Sequence, residues 1–274
     1  MLAMDTPGYR CILLILSATS DQSADGWDRE WALYPGVRGV MQTILSESTN
    51  HILSRLSVSD AAIVLPHLSE VDLPLRRRIE MPNRPIGHIY FPLSGFLSVV
   101  ANGDKKRTIE VGLIGREGMS GLAVVMGSDR SPHQTFVQCA GEGMRIGSGA
   151  LRDAMSKSPS LHRQLLRYAH AFLLQTGYTA MANGRGKIEE RLARWLLMAQ
   201  DRIDGDTLPL THEFLSLMLG VRRPGVTVAL HALEKDGLIR VDRGKITIVD
   251  REGLKSCSNG AYGAAEAELN RVSV

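Results

Sequence analysis

The sequence predicts an α+β chain: an N-terminal double-stranded β-helix (a jelly roll, or β-roll), one long helix, and a C-terminal winged helix-turn-helix. Three observations carry this. Short apolar strands alternate with glycine-rich turns between residues 86 and 146. A helical period is then sustained from Leu161 to Thr179. Two short helices meet at a glycine turn after Thr211 and lead into an alternating hairpin that ends at Val249.

Residues 1–40 show no sustained period and read as a poorly ordered or non-native extension, with Met41 as the natural beginning. Residues 41–155 read as the β-roll domain. An amphipathic helix starts at Asn50 with Ile52, Leu53 and Leu56, and Ser59-Asp60 caps a second short helix through Leu65. Pro66 and Pro74 break the helical pattern. Strands follow at Ile86–Pro92, Phe96–Ala101, Thr108–Ile114, Thr135–Cys139 and Gly143–Ile146, with Asn102-Gly103 as a hairpin turn signal.

Residues 156–186 read as the long helix and a hinge at Asn183–Gly186. Leu161, Leu165, Tyr168, Phe172, Thr176 and Thr179 recur at spacings of three and four and form one stripe. Such a stripe packs either on its own domain or on a second copy of the chain; the expectation adopted here is dimerisation.

Residues 187–254 read as the winged helix-turn-helix domain. Ile188, Leu192, Trp195, Leu196 and Ala199 make the inner face of its first helix. Thr211 suits an N-cap, Phe214, Leu215, Met218 and Leu219 form one apolar face, and Gly220 suits the left-handed position that ends a helix. Pro224 fits the first turn of the next helix, where a missing N–H is harmless. Val226, Ala229, Leu230 and Leu233 make its buried stripe, which leaves Arg222, Arg223, Thr227, Val228 and His231 on other faces. Leu238–Val249 alternates about Arg243-Gly244 as a wing. Two helices at such a turn place the second in the DNA major groove, and the wing reaches the phosphate backbone. The expected DNA contacts are therefore Arg222, Arg223, Thr227, Val228, His231, Thr211, Arg243 and Lys245. Residues 255–274, rich in Gly, Ala and Ser, read as a frayed tail or marginal helix.

Composition sets outer bounds. The 274 residues leave room for two domains, with 44% hydrophobic and 22% charged residues and aromatics at only 5%, so aliphatic packing must dominate. The net charge of +3 neither requires nor forbids nucleic acid, and the C-terminal third is almost charge-balanced, so DNA binding rests on motif order. Cys11, Cys139 and Cys257 are far apart, form no C-x-x-C pair and are too few for a four-cysteine iron–sulfur cluster. No apolar run approaches the ~20 residues of a membrane span, and a reducing cytoplasm is the expected setting. An enzyme is not expected. His212-Glu213 lacks the second histidine of a zinc H-E-x-x-H helix, and there is no G-x-S-x-G elbow or dinucleotide loop. No metal site is expected.

Four stretches in this order resemble the Crp/Fnr family of bacterial transcription regulators: Tyr90-Phe91-Pro92-x-x-Gly95-x-x-Ser98, Glu110-Val111-Gly112-x-x-Gly115-x-Glu117-Gly118-x-x-Gly121, Arg191–Leu197 and Leu219–Thr227. The resemblance runs from about Met41 to Leu254. It implies a homodimer held by the long helix, with two recognition helices in successive major grooves of a near-palindromic operator and RNA polymerase as a further partner. It makes Arg223 the base-reading arginine, a side chain able to bond guanine O6 and N7 together. Pro224 and Val228 stand where cyclic-AMP-responsive members carry glutamate and a second arginine. A different half-site is therefore implied, with Arg222 on a phosphate or a second base.

In the sensor domain, the ribose-binding Gly-Glu pair of the family falls on Gly118-Met119 or Gly121-Leu122, and its phosphate-binding pair near His133-Gln134. An imidazole and an amide cannot replace a guanidinium against a cyclic phosphate. Cyclic AMP is therefore not the expected ligand, and no cofactor is assigned. Of the family's haem sensing, an axial ligand is not identified among His88, His133, His162 and His170. The alternative reading is a β-roll that answers another small molecule or partner without binding DNA.

Overall fold

The computed structural model describes residues 48–103 and 108–272, and the expectation for residues 1–40 lies outside them. The described residues begin with the 3-10 turn Leu53–Arg55 and helix α1, Val58–Val64. The cap of α1 is Ser57, whose hydroxyl accepts the Asp60 N–H at 3.1 Å, and not Ser59-Asp60. Asp60 is itself buried under α1, held by Ser158 and Ser160 from the start of a later helix.

Seven strands follow: β1 Ser69–Leu73, β2 Arg78–Glu80, β3 His88–Pro92, β4 Phe96–Asn102, β5 Thr108–Ile114, β6 Gln134–Cys139 and β7 Gly141–Gly147, with the short helix α2, Leu122–Val125, between β5 and β6. They form two antiparallel sheets, β1-β7-β3 and β2-β6-β4-β5. β1 and β2 escape sequence reading because they are short edge strands; β1 alternates Glu70 and Asp72 outward with Val71 and Leu73 inward, but over too few residues to stand out. Leu73, Ile89, Phe91 and Ile146 from one sheet meet Leu97, Ile114 and Val137 from the other in a single aliphatic core.

Helix α3, Ser148–Lys157, leads to the long helix α4, Pro159–Arg185. Its 27 residues span roughly 40 Å. Ser158 caps it, and Pro159 occupies its first turn. The stripe expected to dimerise faces inward instead. Leu161, Leu165, Tyr168 and Phe172 are buried in the β-roll core of their own chain, and the Thr176 and Thr179 hydroxyls bond back to the Phe172 and Gln175 carbonyls. The physical reason is length of contact: β5 runs beneath α4, and Gln175 closes two hydrogen bonds on the Leu113 backbone, at 2.7 and 3.3 Å. What α4 leaves exposed is a different stripe with Leu166, Leu173 and Met181.

The expected hinge at Asn183–Gly186 is narrower than its glycines suggest. α4 continues through Asn183 and Gly184, and the chain turns only at Gly186-Lys187 before helix α5, Ile188–Gln200. The C-terminal domain then builds helix α6, His212–Leu219, helix α7, Arg223–Lys235, the three-stranded sheet β8-β10-β9 (β8 Thr207–Leu208, β9 Ile239–Asp242, β10 Lys245–Ile248) and helix α8, Arg251–Cys257. Its core is continuous with Phe96, Val100 and Leu113 on the outer face of the β-roll sheet.

Polar side chains close that junction. The Trp195 indole N–H donates to Glu110 Oε1 at 2.5 Å, and the Ser98 hydroxyl donates to the other carboxylate oxygen. Arg202, almost fully buried, pairs with Glu117 at 2.7 Å. The tail is not frayed: helix α9, Ala264–Val272, packs along α4 with Ala265 and Leu269 buried. Composition alone makes this helix marginal; burial of Ala265 and Leu269 against α4 stabilises it.

Candidate nucleic-acid interface

The interface is built from the turn between α6 and α7. The Thr211 hydroxyl accepts the Phe214 N–H at 3.2 Å and starts α6. Gly220 ends it in the left-handed region, at φ 63° and ψ 31°, with the Val221 N–H returning to the Ser216 carbonyl at 3.0 Å. The next residue but one, Arg222, is the extended N-cap of α7, and Pro224 lies in the first turn. Val226, Ala229, Leu230 and Leu233 are buried, as their spacing requires.

Helical geometry then fixes the opposite face. Pro224, Val228, His231 and Lys235, at steps of four, three and four, point away from the core, and Val228 is 64% exposed. Arg222 and Arg223 lie exposed at the N-terminal end, where the helix dipole and free N–H groups also favour phosphate. Arg243 and Lys245 are exposed at the wing, where Gly244 supplies the positive φ of the turn. Among the described residues, Arg222, Arg223, Arg243 and Lys245 make no ion pair, so their charge is available to a partner.

Thr227 behaves differently from the expectation. Its hydroxyl donates to the Arg223 carbonyl at 3.2 Å and lies 3.0 Å from His212 Nδ1. A hydroxyl has one proton to give, so the ring must donate to it, which fixes the histidine tautomer. Thr227 therefore ties the two helices together and positions Arg223. Lys235 is not among the expected contacts, although the i, i+3, i+7 spacing of Val228, His231 and Lys235 carries it.

The positions expected to bind an effector lie at different places in the β-roll. Met119 is fully buried in the β-roll core. A β-carbon on Gly118 would overlap the Tyr168 phenol that α4 lays against it. Gly121, at φ 75°, starts α2 and donates its N–H to Glu80 Oε1 at 2.6 Å, inside the roll. Burial raises the Glu80 pKa, opposed by the hydrogen bonds from Gly121 and Thr135. Leu122 is half-buried on α2, and His133 and Gln134 are half-buried where β6 begins. Nothing among these offers a guanidinium to an anion, and Glu80 presents a carboxyl.

Residues 190–257 match the family model described as a Crp-like helix-turn-helix domain. The C-terminal domain is therefore similar to Crp-like helix-turn-helix domains. Solved structures extend the likeness to the architecture of the chain. A Crp/Fnr-family transcriptional regulator from Eubacterium rectale shares 19% identity and a TM-score of 0.63, over 78% of this chain and 100% of that one. FixK2 from Bradyrhizobium japonicum shares 16% identity and a TM-score of 0.61, over 69% and 96%. The c-di-GMP-responsive regulator CLP from Xanthomonas campestris shares 21% and 0.56, over 70% and 99%. A search of curated proteins found no match. The chain thus has the Crp/Fnr fold: β-roll, long helix, Crp-like helix-turn-helix domain. Among the described residues no helix is long and apolar enough to cross a membrane, and no three His, Cys, Asp or Glu side chains are grouped to hold a metal ion.

Proposed function

We propose that the chain is a sequence-specific transcription regulator that binds double-stranded DNA in the cytoplasm as a homodimer on a near-palindromic operator. The observation that carries this is the exposed, unpaired Arg222-Arg223 corner at the head of a helix whose other face is buried in a Crp-like helix-turn-helix domain. Arg223 reads guanine, Arg222 holds phosphate, and the exposed Val228 meets a thymine methyl, a preference unlike that of a helix with a second arginine there. Arg243 and Lys245 reach the backbone from the wing.

The partner protomer seats on the exposed stripe of α4. Leu166, His170, Leu173, Gly177, Ala180 and Gly184 follow alternating steps of four and three, the seam of a coiled coil, with small residues where the helices come closest. Filled as it is by Met119 and Tyr168, and with Glu80 inside, the β-roll does not take cyclic AMP.

Selection of bound genomic fragments followed by sequencing should return a shared near-palindrome. Arg223→Ala should weaken binding to that site by about 1–3 kcal/mol and relax preference at one base pair per half-site. An equal loss on every DNA would reassign Arg223 to phosphate. Calorimetric titration with cyclic AMP should give no binding heat; micromolar affinity would overturn the account of the β-roll.

A further inference from the structure

The Crp-like domain match ends at residue 257, yet the chain goes on to make a second set of contacts. Asn259 and Gly260 adopt positive φ and turn the chain back across α5. Ala261 is buried there, and its carbonyl accepts the Arg194 Nε–H at 2.7 Å. Arg194 is only 3% exposed, and its Nη2 also reaches the Gln175 carbonyl of α4 at 3.4 Å. Gln175 in turn holds the β5 backbone. Tyr262 bonds Asp201 at 2.8 Å and accepts from Arg251 at 2.6 Å, so the start of the tail is fastened to the C-terminal domain. Its end is fastened elsewhere: α9 lies on α4, Leu269 joins the β-roll core, and Glu268 approaches His170 at 3.7 Å.

We propose that residues 258–272 are an intramolecular strap that spans the α4–α5 turn and holds the helix-turn-helix domain at one orientation to the long helix. The covalent connection there is the two-residue turn Gly186-Lys187, and the domain also rests on the β-roll through Trp195–Glu110 and Arg202–Glu117. A strap anchored at both ends, with a buried arginine beneath its middle, adds a second restraint to that junction, on the side of the long helix. Its bearing on operator spacing rests on the DNA-binding reading, but the restraint itself does not, so it is tested without DNA.

The experiment uses the full chain. In the unaltered protein, amides of 265–272 and of 167–178 should exchange with deuterium slowly, as docked helices do. Leu269→Asp and a chain ended after Ser258 should each raise tryptic cleavage at Arg185 and Lys187 by about tenfold or more, as local opening becomes easier. Cleavage at the unaltered rate in both variants would overturn the strap. Free-peptide exchange of 265–272 in the unaltered chain would overturn it too, and that measurement decides the matter even if Leu269→Asp fails to fold.

Discussion

The helix-turn-helix corner and the mouth of the β-roll both depend on a glycine, with opposite results. At the corner, Gly220 takes a left-handed conformation and throws Arg222 and Arg223 outward into solvent. At the roll, Gly118 has no side chain, and the Tyr168 ring of the long helix packs directly against its backbone. One glycine thus serves exposure and the other close packing, and a shared fold leaves function to be argued site by site.

The largest test of that contrast is Tyr168→Ala. Removing a fully packed aromatic ring should cost about 3–5 kcal/mol of stability, because the surrounding wall closes only in part. Denaturant unfolding measures it directly. A loss below about 1 kcal/mol would mean that the ring is not a wedge and that the roll has space to spare.

Glu110 sharpens the comparison at the junction between the regions. It is completely enclosed, and burial raises its pKa from the ordinary 4.5 to about 7 against the hydrogen bonds from Ser98 and Trp195 and the nearby Arg202 and Arg194. The folded state therefore holds a proton that the unfolded chain releases. The stabilisation is complete below pH 4.5 and is lost as pH rises to about 7. Glu110→Gln keeps an acceptor for Trp195 and reverses the Ser98 bond, its amide N–H donating to the hydroxyl, without a charge to desolvate. Its stability should stay flat over that window and exceed the parent at pH 8 by on the order of 1–3 kcal/mol. Any slope that persists in the variant belongs to Glu80, whose pKa is raised by the same cause, and to His51, whose pKa burial lowers and which acts in the opposite direction. An unchanged pH profile would show that Glu110 does not titrate in this window.

Much of the C-terminal domain was legible because its determinants are local. Thr211, Gly220, Pro224 and the period of Val226, Ala229, Leu230 and Leu233 each act within a few residues. What stayed hidden depends on partners distant in sequence. The apolar stripe of α4 is clear in the sequence, but whether it faces a second copy or the β-roll is decided by Gly112 and Gly118, which let Phe172 and Tyr168 approach. Thr227 reads as an exposed contact residue until His212 is placed beside it, fifteen residues earlier in the chain. The tail helix is marginal by composition and becomes stable only against α4, as is usual for short helices.

The smallest effect concerns the residue that periodicity carried and reading missed. Lys235 closes the exposed face that starts at Pro224, but from the C-terminal end of α7, where the helix leaves the groove. A lysine there meets backbone phosphate and not base edges, since the reading residues of such a helix lie at its other end. Lys235→Ala should thus weaken binding to all sequences alike. It should lower the slope of log affinity against log salt by about 1, the signature of one lost phosphate contact, and leave the selected operator unchanged. Arg223→Ala should do the reverse, altering which sequence is selected. If both variants change only the salt slope, the corner contributes affinity without reading, and sequence preference must come from the wing or from the shape of the DNA.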